Sequence, residues 1–197
     1  MTGKEWEDAV RAMAETLPHA CVFANEPKMR AGYRVEGGTP DLTLIWRSIC
    51  HLVECKESSG SSIDLGRLAK PERGKKPPPG VTWMQAATMT AAEQAGALCW
   101  VAVHLEVAES TRRRAAQVAL DGTGGDMPAV IRRLVPWTLW RARMVAAEEA
   151  RRTGGDVAAS IPAVELAGLG YPLRTAGELR AALVAVDNPV DNSGGTP

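Results

Sequence analysis

Three side chains in the stretch GTPDLTLIWRSICHLVECKES, residues 38 to 58, could act together on a phosphate ester: Asp41, Glu54 and Lys56. DLTLIW and ICHLVECK are apolar runs of strand length around the polar pair Arg47-Ser48, the pattern of two strands and a tight turn. With that pair at the turn, cross-strand partners have numbers adding to 95, so Asp41 faces Glu54 with Cβ atoms about 4.5–5.5 Å apart. Side chains alternate along a strand, so Lys56 shares the face of Glu54 and Cys55 points the other way. Arg47-Ser48 is not a favoured two-residue turn sequence, and a longer loop would shift the register and send one carboxylate to the opposite face.

Like charges placed opposite one another destabilise a sheet, so a hairpin that keeps them holds a cation between them or raises one pKa. Oxygen ligands and one ammonium suit a hard ion, Mg²⁺ or Mn²⁺, rather than zinc. Such an ion leaves positions for water and phosphate, and Lys56 can stabilise charge building on a phosphate or help place the attacking water. The chemistry implied is phosphodiester hydrolysis. The plainer alternative is a structural salt bridge among Asp41, Glu54 and Lys56.

These residues need a scaffold, and the chain is long enough for one. Its 197 residues, 45% of them apolar, suit one domain, or one domain with a helical appendage. Trp6, Val10, Met13 and Leu17 recur at helical spacing up to Pro18, which places Glu7 on a first helix. After the hairpin, VTWMQAATMTAAEQAG reads as a helix ending at Gly96 and LCWVAVHLEV as a buried strand. Strand, helix, strand is a crossover unit, so this last strand should run parallel to the one carrying Glu54, with Gln85 in the first helical turn. Beyond Glu109, arginine-rich and Ala/Leu-rich segments read as helices, and DNPVDNSGGTP as a disordered tail. The expected organisation is a core over 1–108, a helical region over 109–186 and a tail over 187–197.

Composition narrows the function classes. Net charge is zero, with 23 basic and 23 acidic residues, so any nucleic-acid contact must come from local patches. One candidate is the stretch from Lys56 to Lys76, expected to be a mobile loop, where Arg67, Lys70, Arg73, Lys75 and Lys76 could meet phosphates. The arginines after residue 111 read as solvated helix faces or as a second such surface. Cys21, Cys50, Cys55 and Cys99 lack metal or disulfide spacing and read as buried free thiols; His19, His51 and His104 read as solvated or hydrogen-bonded residues. No apolar run of about 18 residues occurs, so a soluble cytoplasmic protein without membrane association is expected.

Glu-x-Lys alone carries no weight, since one arises by chance about once in a chain of this length. The conjunction of Pro40-Asp41, Glu54-Cys55-Lys56, a helix with Glu7 before them and a helix with Gln85 after them resembles the PD-(D/E)xK nuclease superfamily. GKEWEDAV, with Gly3, Trp6 and Glu7, and ECKESSGSSIDLGRL followed by VTWMQAATM are similar to the bacterial and phage Holliday-junction resolvases. The resemblance covers about residues 3 to 107. It implies a restriction-endonuclease-like α/β fold, a central mixed sheet flanked by helices, here with a helical C-terminal extension. It implies a magnesium-dependent endonuclease that works as a homodimer on four-way DNA junctions. Asp41 and Glu54 would bind metal, Glu7 would contact it directly or through water, Lys56 would assist the water or the transition state, and Gln85 would act in the site, cap its helix or touch DNA. GGTPDLTLIW also resembles VRR-NUC-like and restriction-type nucleases, which cut other DNA structures. An inert DNA-binding module with the same fold is the remaining alternative.

Overall fold

The computed structural model describes residues 1–25, 29–30, 33–34, 38–70, 79–120, 127–154 and 159–187. Trp6 and Val10 form the buried stripe of α1 (Gly3–Glu15), which opens on a reciprocal capping box between Thr2 and Glu5. There follow β1 (Cys21–Ala24), a short hairpin of β2 (Met29–Arg30) and β3 (Tyr33–Arg34), then β4 (Leu42–Trp46), β5 (Ile49–Gly60) and β6 (Ser62–Asp64). The second half comprises α2 (Trp83–Gln94), β7 (Leu98–Val107), α3 (Glu109–Leu120), β8 (Val130–Pro136) and α4 (Trp137–Thr153). It ends with β9 (Ser160–Pro162), α5 (Ala163–Leu166), β10 (Tyr171–Pro172) and α6 (Ala176–Asp187).

Six strands form one mixed sheet in the order β1-β4-β5-β7-β8-β10. β5 and β7 are parallel and joined through α2, as a crossover requires, while the other neighbours run antiparallel. One face is covered by α2, α4, α5 and the small β6–β9 pair, with Val101, Val103, Leu105, Trp137 and Trp140 in its core. The other is covered by α1 and α6, with Trp6, Leu42, Leu44, Val53 and Leu183. The chain is thus α/β, a mixed sheet flanked by helices.

The region after residue 108 differs from the helical extension expected. Val130–Pro136 is a strand paired with β7, and β10 extends the sheet further, so this half completes the sheet. The arginine pair inside IRRLV hid the alternation. Arg132 lies over the Trp6 ring, 5.8 Å from its centroid, and donates to His104 Nδ1 at 3.2 Å. Arg133 donates to the carbonyls of Leu166 and Ala167 at the end of α5. Long side chains can cover apolar surface while their heads find acceptors, which is how a strand with two adjacent arginines stays in a sheet.

The part of the Lys56 to Lys76 stretch that is described, up to Lys70, is more ordered than a mobile loop, and residues 71–76 lie outside the described residues. Lys56 to Gly60 continue β5 against Val103 to Val107, and Ile63 and Leu65 are buried in the core. The chain then runs past Gly66, which bridges to Val81 just before α2. Gly66 has φ +93°, and a Cβ there would stand 2.0 Å from the Val81 carbonyl oxygen. Backbone on backbone has no room to yield. Gly66→Ala is expected to cost about 2 kcal/mol or more, lowering the melting temperature by roughly 4–8 °C in a thermal melt.

His51 and His104 are buried and hydrogen-bonded, His51 Nδ1 accepting from the Trp100 indole at 3.3 Å. All four cysteines are free; Cys99 is buried, Cys50 and Cys55 are half-buried, and Cys21 on the edge strand β1 is exposed rather than buried. Among the described residues no helix is long and apolar enough to cross a membrane. Of residues 187–197, read as a tail, Asp187 is the last residue of α6 and the others lie outside the described residues.

Candidate functional site

The β4–β5 hairpin sets the site. Arg47 and Ser48 both adopt left-handed conformations, φ 53° and 63°, as a two-residue turn matched to strand twist demands, although neither is Asn or Gly. The register runs from Trp46↔Ile49 to Leu42↔Val53, partners adding to 95 throughout. The tight turn, not the longer loop, is therefore present. Asp41 sits one residue before β4, and its Oδ2 accepts the Cys55 N–H at 2.8 Å. Asn25 shapes that corner: its N–H donates to the Asp41 carbonyl at 2.7 Å, and its side-chain amide donates to the Pro40 carbonyl and to Thr43 Oγ1.

Glu54 lies on the face covered by α2 and is fully buried. Its Oε1 receives the Lys56 ammonium at 2.5 Å and the Gln85 amide at 2.6 Å. Its Oε2 is buried without a hydrogen-bond partner among the described residues. Burial pushes the carboxyl up to about 7; Lys56 opposes this and the charge of Asp41 adds to it. The half-buried Asp41 and the buried Glu54 therefore act on each other, and the Lys56 ammonium offsets the charge of Glu54. The Lys56 side chain is 19% exposed and forms the accessible rim of the cluster. On the other face, desolvation first, then Asp41, Glu54 and Glu7, hold the Cys55 thiol well above its ordinary pKa, which leaves it inert.

Gln85 has two tasks. It is the third residue of α2, where its Oε1 accepts from the N–H and the hydroxyl of Thr82, each at 3.0 Å, to close a capping box. With its oxygen so engaged, its NH₂ must point to Glu54. Thr82→Ala removes the hydroxyl that caps the helix and holds Gln85. It is expected to cost about 1 kcal/mol, a fall of roughly 2–4 °C in melting temperature, with Thr82→Ser recovering most of it.

The remaining sequence candidates fall in different places. Glu7 is on α1, which covers the opposite face; its Oε1 pairs with Lys4 at 3.0 Å and its charge acts on Cys55. Among the described residues no three His, Cys, Asp or Glu side chains converge as a metal site. Arg67 and Lys70 are exposed on the segment leading from Gly66, while Arg73, Lys75 and Lys76 lie outside the described residues. Sequence reasoning missed Thr82 and Asn25. Ser/Thr-x-x-Gln before a helix was a readable signal for Thr82; nothing local marks Asn25, whose role exists only once β1 pairs with β4. Gly38, three residues before Asp41, passes so close to α2 that a Cβ would lie 3.0 Å from Met84 Cβ.

No family model matches the chain, and no curated protein does. What the cluster can do is read from its own contacts. An acceptor oxygen buried without a donor, beside a second carboxylate, fits a hard divalent cation, which takes one or two carboxylates and leaves its other positions to water and phosphate. Asp41 and Glu54 are the residues that could hold it.

Proposed function

We propose that this chain is a metal-dependent endodeoxyribonuclease of the PD-(D/E)xK type, acting as a homodimer on branched DNA, four-way junctions foremost. One observation carries the reading. Glu54 is buried with Lys56 and Gln85 on one oxygen and no partner among the described residues on the other, next to Asp41. A salt bridge serving stability alone would satisfy both oxygens or stay at the surface. On this reading the mixed sheet with its helices is a restriction-endonuclease-like core.

Asp41 and Glu54 would hold Mg²⁺ or Mn²⁺, and Glu7, paired to Lys4 on the other face, would join only through water. A bound divalent ion would supply positive charge to the phosphate and make an attacking water more acidic. The protein's own groups do the rest. The Cys55 N–H fixes Asp41, and Gln85 fixes Glu54 through an amide that the Thr82 cap has already oriented. Lys56, at the rim, places an ammonium where negative charge grows on the scissile phosphate. Arg67 and Lys70, both exposed, add local positive charge to a chain whose net charge is zero.

The test is cleavage of a labelled four-way junction beside flap, nicked and linear duplex DNA in Mg²⁺ and in Mn²⁺. Cuts at paired, symmetric junction positions are expected. Preference for flap or nicked DNA would move the reading to VRR-NUC-like or restriction-type nucleases, and binding without any cutting would leave a DNA-binding module.

A further inference from the structure

The two edges of the main sheet are finished differently. At the β10 edge, the Leu173 N–H donates to the Arg132 carbonyl at 3.1 Å. Bonding alternates along an antiparallel ladder, so the residue turned outward there is Pro172, which has no N–H to offer. At the β1 edge, the Asn25 N–H donates to the Asp41 carbonyl at 2.7 Å. By the same alternation Phe23 and Cys21 also bond to β4, and Val22 and Ala24 turn their N–H and carbonyl groups away from it. The strand reads CVFA, with neither charge nor proline, and no strand pairs with its outer side among the described residues. Sheets that stay single blunt such edges, because an open one recruits another strand.

Side chains mark the same place. Phe23, the only phenylalanine of the chain, is 53% exposed. On the same face, Cys21 is exposed and its cross-strand partner Ile45 is 43% exposed. The outward groups fit a second copy of the strand. A two-fold axis through Phe23 sets Val22 of each copy against Ala24 of the other, donor to acceptor in both directions. It also brings the two Phe23 rings into a non-hydrogen-bonded pair, with Cα atoms about 4.5 Å apart. A register centred on Val22 would call on Ala20, whose N–H is already donated to the Leu17 carbonyl. With zero net charge, two copies meet without overall repulsion. So short a contact falls below the ~1,200 Å² at which standard interfaces begin, so pairing is a concentration-dependent equilibrium.

We propose that β1 is the contact between two copies of this chain, which join edge to edge into one continuous sheet. The axis is normal to the sheet, so both Glu54 clusters lie on one face. They are separated by the strands β4 and β1 of each copy, roughly 24 Å at about 4.8 Å per strand. This locates the homodimer of the nuclease reading and rests on that reading for its use, while its measurement needs neither metal nor DNA.

Sedimentation equilibrium in EDTA, from dilute to concentrated protein, should show monomer and dimer in exchange. Ala24→Pro deletes an outward N–H and leaves the β4 ladder intact. It is expected to weaken association roughly tenfold or more, with the circular dichroism spectrum unchanged. Phe23→Lys, a change at an exposed side chain, should weaken it comparably. In a Cys21→Ser background, Phe23→Cys should form a disulfide-linked dimer on mild oxidation, because its thiols meet across the axis, whereas wild-type Cys21 should not cross-link. Wild-type protein that stays monomeric at every concentration, association indifferent to Ala24→Pro and Phe23→Lys, or cross-linking through Cys21 in place of position 23 would overturn the β1 contact. A dimer that responds to these variants and cuts no DNA would remove the nuclease reading alone, and junction cutting by a protein that never pairs through β1 would remove the contact alone.

Discussion

Lys56→Ala is expected to lower cleavage by about a hundred- to a thousandfold in kcat, the usual cost of removing one preorganised charge aimed at a transition state, while the protein still folds. Lys56 is the only ammonium at Glu54 among the described residues, at 2.5 Å, and it opposes the effect of burial on that carboxyl. Its loss therefore has a second signature. Without it Glu54 is more firmly protonated, so the pH at which divalent ions begin to bind should rise. Asp41→Asn tests the same cluster from the other side: it keeps an acceptor for the Cys55 N–H yet removes the charge, and should abolish cleavage with little change in stability. Loss of folding in both variants would support a structural salt bridge in place of catalysis. Steady-state rates on a junction substrate, circular dichroism and junction binding in EDTA together separate the outcomes.

The second large effect is in stability against pH. The carboxyl of Glu54, 4.5 when unperturbed, is pushed up to about 7, chiefly by burial. Between those values the folded chain keeps a proton that the unfolded chain releases, so the stability this group confers is fully present below pH 4.5 and is lost as pH rises through 7. At about 1.4 kcal/mol per unit the loss is on the order of 3 kcal/mol, or roughly 6–12 °C in melting temperature for a chain of this size. Glu54→Gln should flatten that slope. Since a divalent ion needs the ionised carboxylate, Mn²⁺ should raise the wild-type melting temperature at pH 8, do little at pH 5, and do nothing for Glu54→Gln. Thermal melts of the two proteins across this range, with and without Mn²⁺, read all three effects. A wild-type slope equal to that of the variant would remove the charge cost assigned to Glu54.

The hairpin was legible because its signals are local. Alternation, two polar residues between apolar runs and the parity of a strand are enough to bring Asp41, Glu54 and Lys56 to one face, and the observed register is the one those signals imply. The crossover from β5 through α2 to β7 follows from the same kind of pattern. What was not legible depends on distant partners. Arg132 and Arg133 look like a break in a strand until Trp6, His104 and the carbonyls of α5 are there to receive them. Lys56 to Gly60, read as a loop from their serines and glycine, are held as strand by β7. Gln85 showed its position but not its double duty, because the bond to Glu54 spans 31 residues. Glu7 is the reverse case: the motif names it, yet α1 packs on the opposite face and presents it to Lys4.

The most direct measurement is the anomalous scattering of a crystal grown with Mn²⁺ at pH 8. An ion is expected about 2.0–2.3 Å from carboxylate oxygens of both Asp41 and Glu54, with Glu54 Oε2 as a ligand and Lys56 displaced toward solvent. A crystal saturated with Mn²⁺ that shows no peak between those two residues, with Lys56 still seated on Glu54, would contradict it.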